Sequence, residues 1–204
     1  MTKVSEMGNR LYVGVHDRGK TTSLYQDVLA ARIERRPVVV IDSATEHFDR
    51  SLYHRLLKDR ADDCVGLEFP RMVQCPTQRL VEAMSKAGIG KVVMVDVSFY
   101  LEEGHRLTDP KEKTTIRSRY QEEAGEVLEV VLAMMERGCW RNVLVAMDEI
   151  EFTARISSYA RAIAEKGGEI HAALHPPLVV NELSSEFEYV VLESKEERRD
   201  DEGI

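Results

Sequence analysis

One nine-residue stretch restricts the possible folds more than any other: GVHDRGKTT, residues 14–22. It fits G-x-x-x-x-G-K-[ST], with Gly14, Gly19, Lys20 and Thr21 at the fixed places. Before it, RLYVGV places Leu11, Tyr12, Val13 and Val15 in a short apolar run suited to a buried strand. After it, in KTTSLYQDVLAARIERR, Leu24, Val28, Leu29, Ala31 and Ile33 recur at helical spacing until Pro37 ends the segment. Strand, glycine-bounded loop and helix in that order make an anion cradle. Gly14 and Gly19 permit backbone angles that turn successive N–H groups inward, and the helix start adds unpaired donors and partial positive charge. Such a loop would wrap a phosphate chain with residues Gly14, Val15, His16, Asp17, Arg18, Gly19, Lys20, Thr21 and Thr22. Lys20 would reach the β- and γ-phosphates of ATP, and the Thr21 hydroxyl would ligate Mg²⁺.

A loop of this kind needs an aspartate at a strand end for the metal shell, and hydrolysis also needs a base or orienting group for water. Two strands end in acid: VVMVD at Asp96, and VLVAMDE at Asp148 and Glu149. The adjacent pair supplies both roles, with Asp148 on the metal and Glu149 on the attacking water. Asp96 has no second carboxylate beside it and is expected to cap a turn. Choosing Asp148 implies at least one additional strand between the loop strand and the acidic strand.

Elsewhere, strands are expected at Val38–Ile41, around RMVQC, in KVVMVDVSFY, NVLVAM, EIHAAL and YVVLE. Helices are expected over roughly 46–60, in TQRLVEAMSKAG, from Asp109 (N-cap) and Pro110 to Gly138, and in ARISSYARAIAEKGG. The longest helix has a stripe of Ile116, Tyr120, Val127, Val130, Val131 and Met134. Strands that alternate with helices and read as continuous apolar runs predict a three-layer α/β/α fold with a mostly parallel central sheet. The 204 residues suit one domain over 1–194, with a charged, frayed tail at 195–204.

From KVVMVDVSFY to EIHAALHPP, the order of strand, long helix, strand ending Asp148–Glu149, helix and polar-ended strand resembles the FtsK–HerA superfamily. Within it the chain is similar to the small DNA-packaging ATPases of archaeal viruses such as the Sulfolobus turreted icosahedral viruses. The resemblance runs from the first strand to Pro177. It implies a RecA-like P-loop fold and a ring-forming ATPase that translocates double-stranded DNA into a preformed capsid. Capsid or internal membrane proteins would be its further partners, and its place the host cytoplasm during assembly, or the virion. Lys20, Thr21, Asp148 and Glu149 match the family's Walker residues. His175 stands where the family has a glutamine; an imidazole there would make γ-phosphate contact pH-dependent. The family also implies an arginine finger from a neighbouring subunit, for which Arg161 is the first candidate and Arg155 and Lys166 the next.

The net charge of −8 excludes a surface that grips nucleic acid all over, so DNA contact needs a local patch. Lys111, Lys113, Arg117 and Arg119 in DPKEKTTIRSRYQ are candidates, diluted by Glu112, Glu122 and Glu123. Arg71 and Arg79 in FPRMVQCPTQR form a second patch of similar weight. Cys64, Cys75 and Cys139 are scattered, which argues against a zinc or redox motif. No apolar run approaches the ~20 residues of a membrane span, and MTKVSEMGNR lacks the apolar core of a signal peptide. A small-molecule or nucleoside kinase remains the alternative; it would need an acceptor pocket and an arginine-bearing lid, and no lid insertion is evident. A regulatory GTPase is excluded by the lack of an Asn-Lys-x-Asp segment.

Overall fold

Among the described residues, short runs of four or five residues form seven strands: β1 (Arg10–Val13), β2 (Val38–Asp42), β3 (Cys64–Glu68), β4 (Val92–Asp96), β5 (Leu144–Asp148), β6 (Glu169–Ala173) and β7 (Glu188–Val191). The computed structural model describes residues 8–14, 19–42, 52, 55, 56, 58, 64–68, 81, 82, 85, 92–96, 109–148, 154–173 and 186–192. The strands form one sheet in the order β3-β4-β2-β5-β6-β1-β7, with every pair parallel. Helices α1 (Lys20–Ile33), α2 (Pro110–Glu136) and α3 (Ala154–Glu165) cover it. The loop strand β1 and the acidic strand β5 are separated by β6, as the choice of Asp148 required.

Side chains alternate across the sheet and both faces are dry. Val38, Val40, Leu144 and Ala146 join Leu24, Val28 and Ala31 of α1 and the helical residues Leu52 and Leu56 in one core. Val39, Ile41, Val145 and Met147 join Val127, Leu128 and Val131 of α2 and Ala160 and Ile163 of α3 in the other. Truncating a fully buried leucine such as Leu128 is expected to cost about 2–5 kcal/mol.

The helices α1, α2 and α3 end in the same hydrogen-bond pattern. After α2, Gly138 N–H donates to Met135 O and Cys139 N–H to Met134 O; after α3, Gly167 donates to Ala164 O and Gly168 to Ile163 O. After α1, Arg35 donates to Arg32 O and Arg36 to Ala31 O. The left-handed position is glycine in two cases, Gly138 (φ 70°) and Gly167 (φ 78°), but arginine in the third, Arg35 (φ 58°). Asp109 caps α2 by accepting from Lys111 N–H at 2.8 Å, with Pro110 in the first position, as the sequence predicts.

Two expectations shift. The segment CVGLE, unremarked in the sequence, forms β3, while RMVQC lies outside the described residues. On α1, Ile33 is 84% exposed, because two residues beyond buried Ala31 is the far side of a helix.

Candidate nucleotide-binding site

The loop strand β1 stops at Val13, and α1 begins at Lys20 with Gly19 as its N-cap at φ 86°, ψ 15°. That left-handed angle is open to glycine at no steric cost, which explains why Gly19 directly precedes Lys20. Lys20 is buried, and its Nζ donates to Gly14 O at 2.7 Å, so the amine reaches back from the helix start to the residue that follows β1. Thr21 Oγ1 donates to Asp148 Oδ1 at 3.3 Å, across 127 positions of sequence. The two hard oxygen groups a magnesium ion needs therefore lie side by side where β5 ends and α1 starts. A hydroxyl and a carboxylate fit Mg²⁺, which takes few protein oxygens and completes its shell with water and phosphate.

Asp148 has a buried acidic neighbour across the sheet that the sequence reading did not single out. Asp42 is its register partner on β2, 2% exposed, and follows Val40 on the α1 face of the sheet. Asp96 is the register partner of Asp42 on β4, one strand further from β1 than β2. At ~4.8 Å per strand the backbone of Asp96 is about two strand spacings from that of Asp148.

Behind the loop, a buried polar network ties α1 to the sheet. Asp27, two turns beyond Lys20, accepts from Tyr12 OH of β1 and from Arg10 Nη1 at 3.5 Å, and lies 2.7 Å from Nδ1 of His171 on β6. His171 Nε2 faces Glu169 Oε2 at 3.4 Å, and Arg36 Nη2 reaches the same oxygen at 3.1 Å. Arg10 also faces Glu188 of β7 at 3.8 Å. Burial alone would lower the His171 pKa, but hydrogen bonds and charge from Asp27 and Glu169 win and raise it. Burial likewise works to raise Asp27 and Glu169, and is overcome. His171, Tyr12 and Arg10 hold Asp27 low, and His171 and Arg36 hold Glu169 low. The shift favours the imidazolium form of His171, which stands between two carboxylates. Asn9 adds a neutral tie, accepting from Ile170 N–H at 2.8 Å and donating to Ala160 O and Glu186 O.

Of the residues singled out in the sequence, Gly14, Gly19, Lys20, Thr21 and Asp148 come together. Thr22 is exposed on the first turn of α1. Val15, His16, Asp17, Arg18, Glu149 and His175 lie outside the described residues, as do Arg71 and Arg79. Arg161 is not brought to this site in its own chain. It pairs with Glu186 at 2.7 Å near the ends of the sheet where β1 and β7 begin. Lys166 pairs with Glu136 at 3.5 Å. Lys111 is exposed at the start of α2; Lys113, Arg117 and Arg119 follow on that helix and Arg155 is on α3, with their side chains outside the described set.

The fold and site define a class: an α/β protein with a phosphate-loop motif on β1–α1, a strand-end aspartate on β5, and one strand between them. No family model matches the chain, and no curated protein matches it. Among solved structures it is similar to the genome packaging NTPase B204 from Sulfolobus turreted icosahedral virus 2, in complex with AMPPCP. That match has a TM-score of 0.44 and 10% identity over 82% of this chain, and spans 64% of the other chain. Among the described residues no helix is long and apolar enough to cross a membrane.

Proposed function

We propose that the chain is an ATP-hydrolysing motor that translocates double-stranded DNA, packaging a viral genome into a preformed capsid. The observation that carries the nucleotide part is the meeting of Thr21 Oγ1 with Asp148 Oδ1 at 3.3 Å, beside the buried Lys20 amine. A loop and a carboxylate 127 positions apart in sequence meet there across an intervening strand, β6. In this reading the loop N–H groups and Lys20 bind the triphosphate, and Thr21 and Asp148 hold Mg²⁺, which offsets charge on the phosphate oxygens. Glu149, next to Asp148, orients and deprotonates the attacking water, and His175 senses the γ-phosphate.

The motor part rests on the sequence resemblance of the stretches from KVVMVDVSFY to EIHAALHPP. Subunits form a ring, Arg161 acts on the neighbour's nucleotide, and Lys111, Lys113, Arg117 and Arg119 face the DNA. For Arg161 this requires leaving Glu186, an exposed pair that holds weakly.

ATP hydrolysis by the wild type and Glu149→Gln, with and without double-stranded DNA, tests the proposal. The expected result is stimulation of the wild type by DNA, and a Glu149→Gln variant that binds ATP without turnover. Normal hydrolysis by Glu149→Gln transfers the role to another carboxylate. Phosphate transfer to a small acceptor without DNA stimulation identifies a kinase instead.

A further inference from the structure

Thr22 lies one position beyond the metal-facing Thr21, about a quarter turn round α1. Its hydroxyl accepts from Arg55 Nη1 at 3.0 Å, and the same guanidinium sits over the Tyr25 ring, 5.5 Å from its centroid. Arg55 belongs to the helical segment whose Leu52 and Leu56 are fully buried in the α1 core, so its stem is anchored three residues before and one after. Tyr25 and Thr22 together hold the guanidinium beside the first turns of α1. Among the described residues no carboxylate pairs with Arg55.

Arg55 also stands close to positive charge. The first turn of a helix carries partial positive charge, and the Lys20 amine belongs to the same turn. An anion at the turn converts that repulsion into attraction, and a guanidinium offers paired donors matched to phosphate oxygens. We propose that Arg55 is a phosphate-binding residue of the nucleotide site, gripping the α-phosphate on the flank away from the metal while Lys20 serves the β- and γ-phosphates. The inference rests on the nucleotide reading above. Each nucleotide held by the loop would then be clamped by two elements, α1 and the segment carrying Arg55.

The test is calorimetric titration of Mg-ATP and Mg-ADP into the wild type, Arg55→Ala, Arg55→Lys and Lys20→Ala, with melting temperatures of each protein free of nucleotide. Because both nucleotides carry an α-phosphate, Arg55→Ala should weaken both by a similar factor, about tenfold or more for a lost charge-assisted bond. Stoichiometry and nucleotide-free melting temperature should stay those of the wild type, and Arg55→Lys should recover part of the loss. If Arg55→Ala binds both as tightly as the wild type while Lys20→Ala does not, the Arg55 assignment is overturned and the nucleotide site stands. If Arg55→Ala only lowers the melting temperature and the binding-competent fraction, the residue packs the fold and the assignment is again overturned. If wild type and Lys20→Ala alike bind neither nucleotide, both readings fall.

Discussion

The polar groups in the middle of α1 and those at its start are built differently. Around Asp27 they are charge-paired with one another: Tyr12 and Arg10 meet Asp27, Asp27 meets His171, and His171 and Arg36 meet Glu169 Oε2 at ion-pair distances, in an open chain of contacts joining α1, β1 and β6. At the helix start the contacts are a single lysine donating to the backbone at Gly14 O, at 2.7 Å, and a neutral hydroxyl meeting a carboxylate, Thr21 with Asp148 at 3.3 Å. Rigid charge pairing in one region and adaptable donors in the other suit a helix that must stay fixed while its N-terminus exchanges ligands. In the proposed nucleotide-binding reading Asp27 serves stability and Lys20 binding, and each role can be broken separately.

The largest effect is expected at the helix start. Lys20→Ala should lose at least a hundredfold in Mg-ATP affinity, about 2.7 kcal/mol, while its melting temperature changes little, read by titration beside thermal unfolding. In the middle of the helix the pattern should reverse. Asp27→Ala leaves the buried His171 without its nearest carboxylate and Arg10 without one of its two, and should destabilise by about 3 kcal/mol, measured by denaturant unfolding.

The same network sets a pH dependence. Unfolded, His171 titrates near 6.5; its folded value is raised, so its contribution is complete below 6.5 and is lost as pH rises through the folded value. Asp27 and Glu169 titrate near 3.8 and 4.5 unfolded and lower when folded. Their contributions are complete above those values and vanish as pH falls through the folded ones. Stability should therefore form a plateau between about pH 4.5 and 6.5 and decline on both sides. His171→Gln should flatten the alkaline limb; an unchanged limb would remove His171 from the account.

Smaller effects concern packing. A Cβ on Gly168 would meet Ile163 Cγ2 at 2.8 Å and Val143 Cγ1 at 2.9 Å, so Gly168→Ala should cost about 1–3 kcal/mol in denaturant unfolding. Arg35→Gly should gain up to about 1 kcal/mol, since it relieves a left-handed arginine where α2 and α3 use glycine.

Much of the frame was legible because it rests on local patterns. The motif and its flanks located β1 and α1, Asp109–Pro110 located the start of α2, and apolar runs located β2, β4, β5 and β6. The strand β3 escaped because Gly66 and Glu68 interrupt its apolar character. Asp27 and His171 left a trace, one acid three residues after Leu24 on the inner stripe and one imidazole within an apolar strand. A polar residue on a stripe reads equally as the stripe's edge, so only the parallel neighbour β6 reveals its partner. Arg55 left none: its approach to Thr22 depends on how two helical segments lie on the sheet, which spacing within either does not encode.

The most direct measurement of the central claim is Mg-ATP titration of the wild type and Asp148→Asn, each with and without Mg²⁺. The account predicts stoichiometric binding by the wild type that weakens sharply when magnesium is removed. In Asp148→Asn, magnesium should make little difference. Equal magnesium dependence in both proteins, or no binding by either, would contradict it.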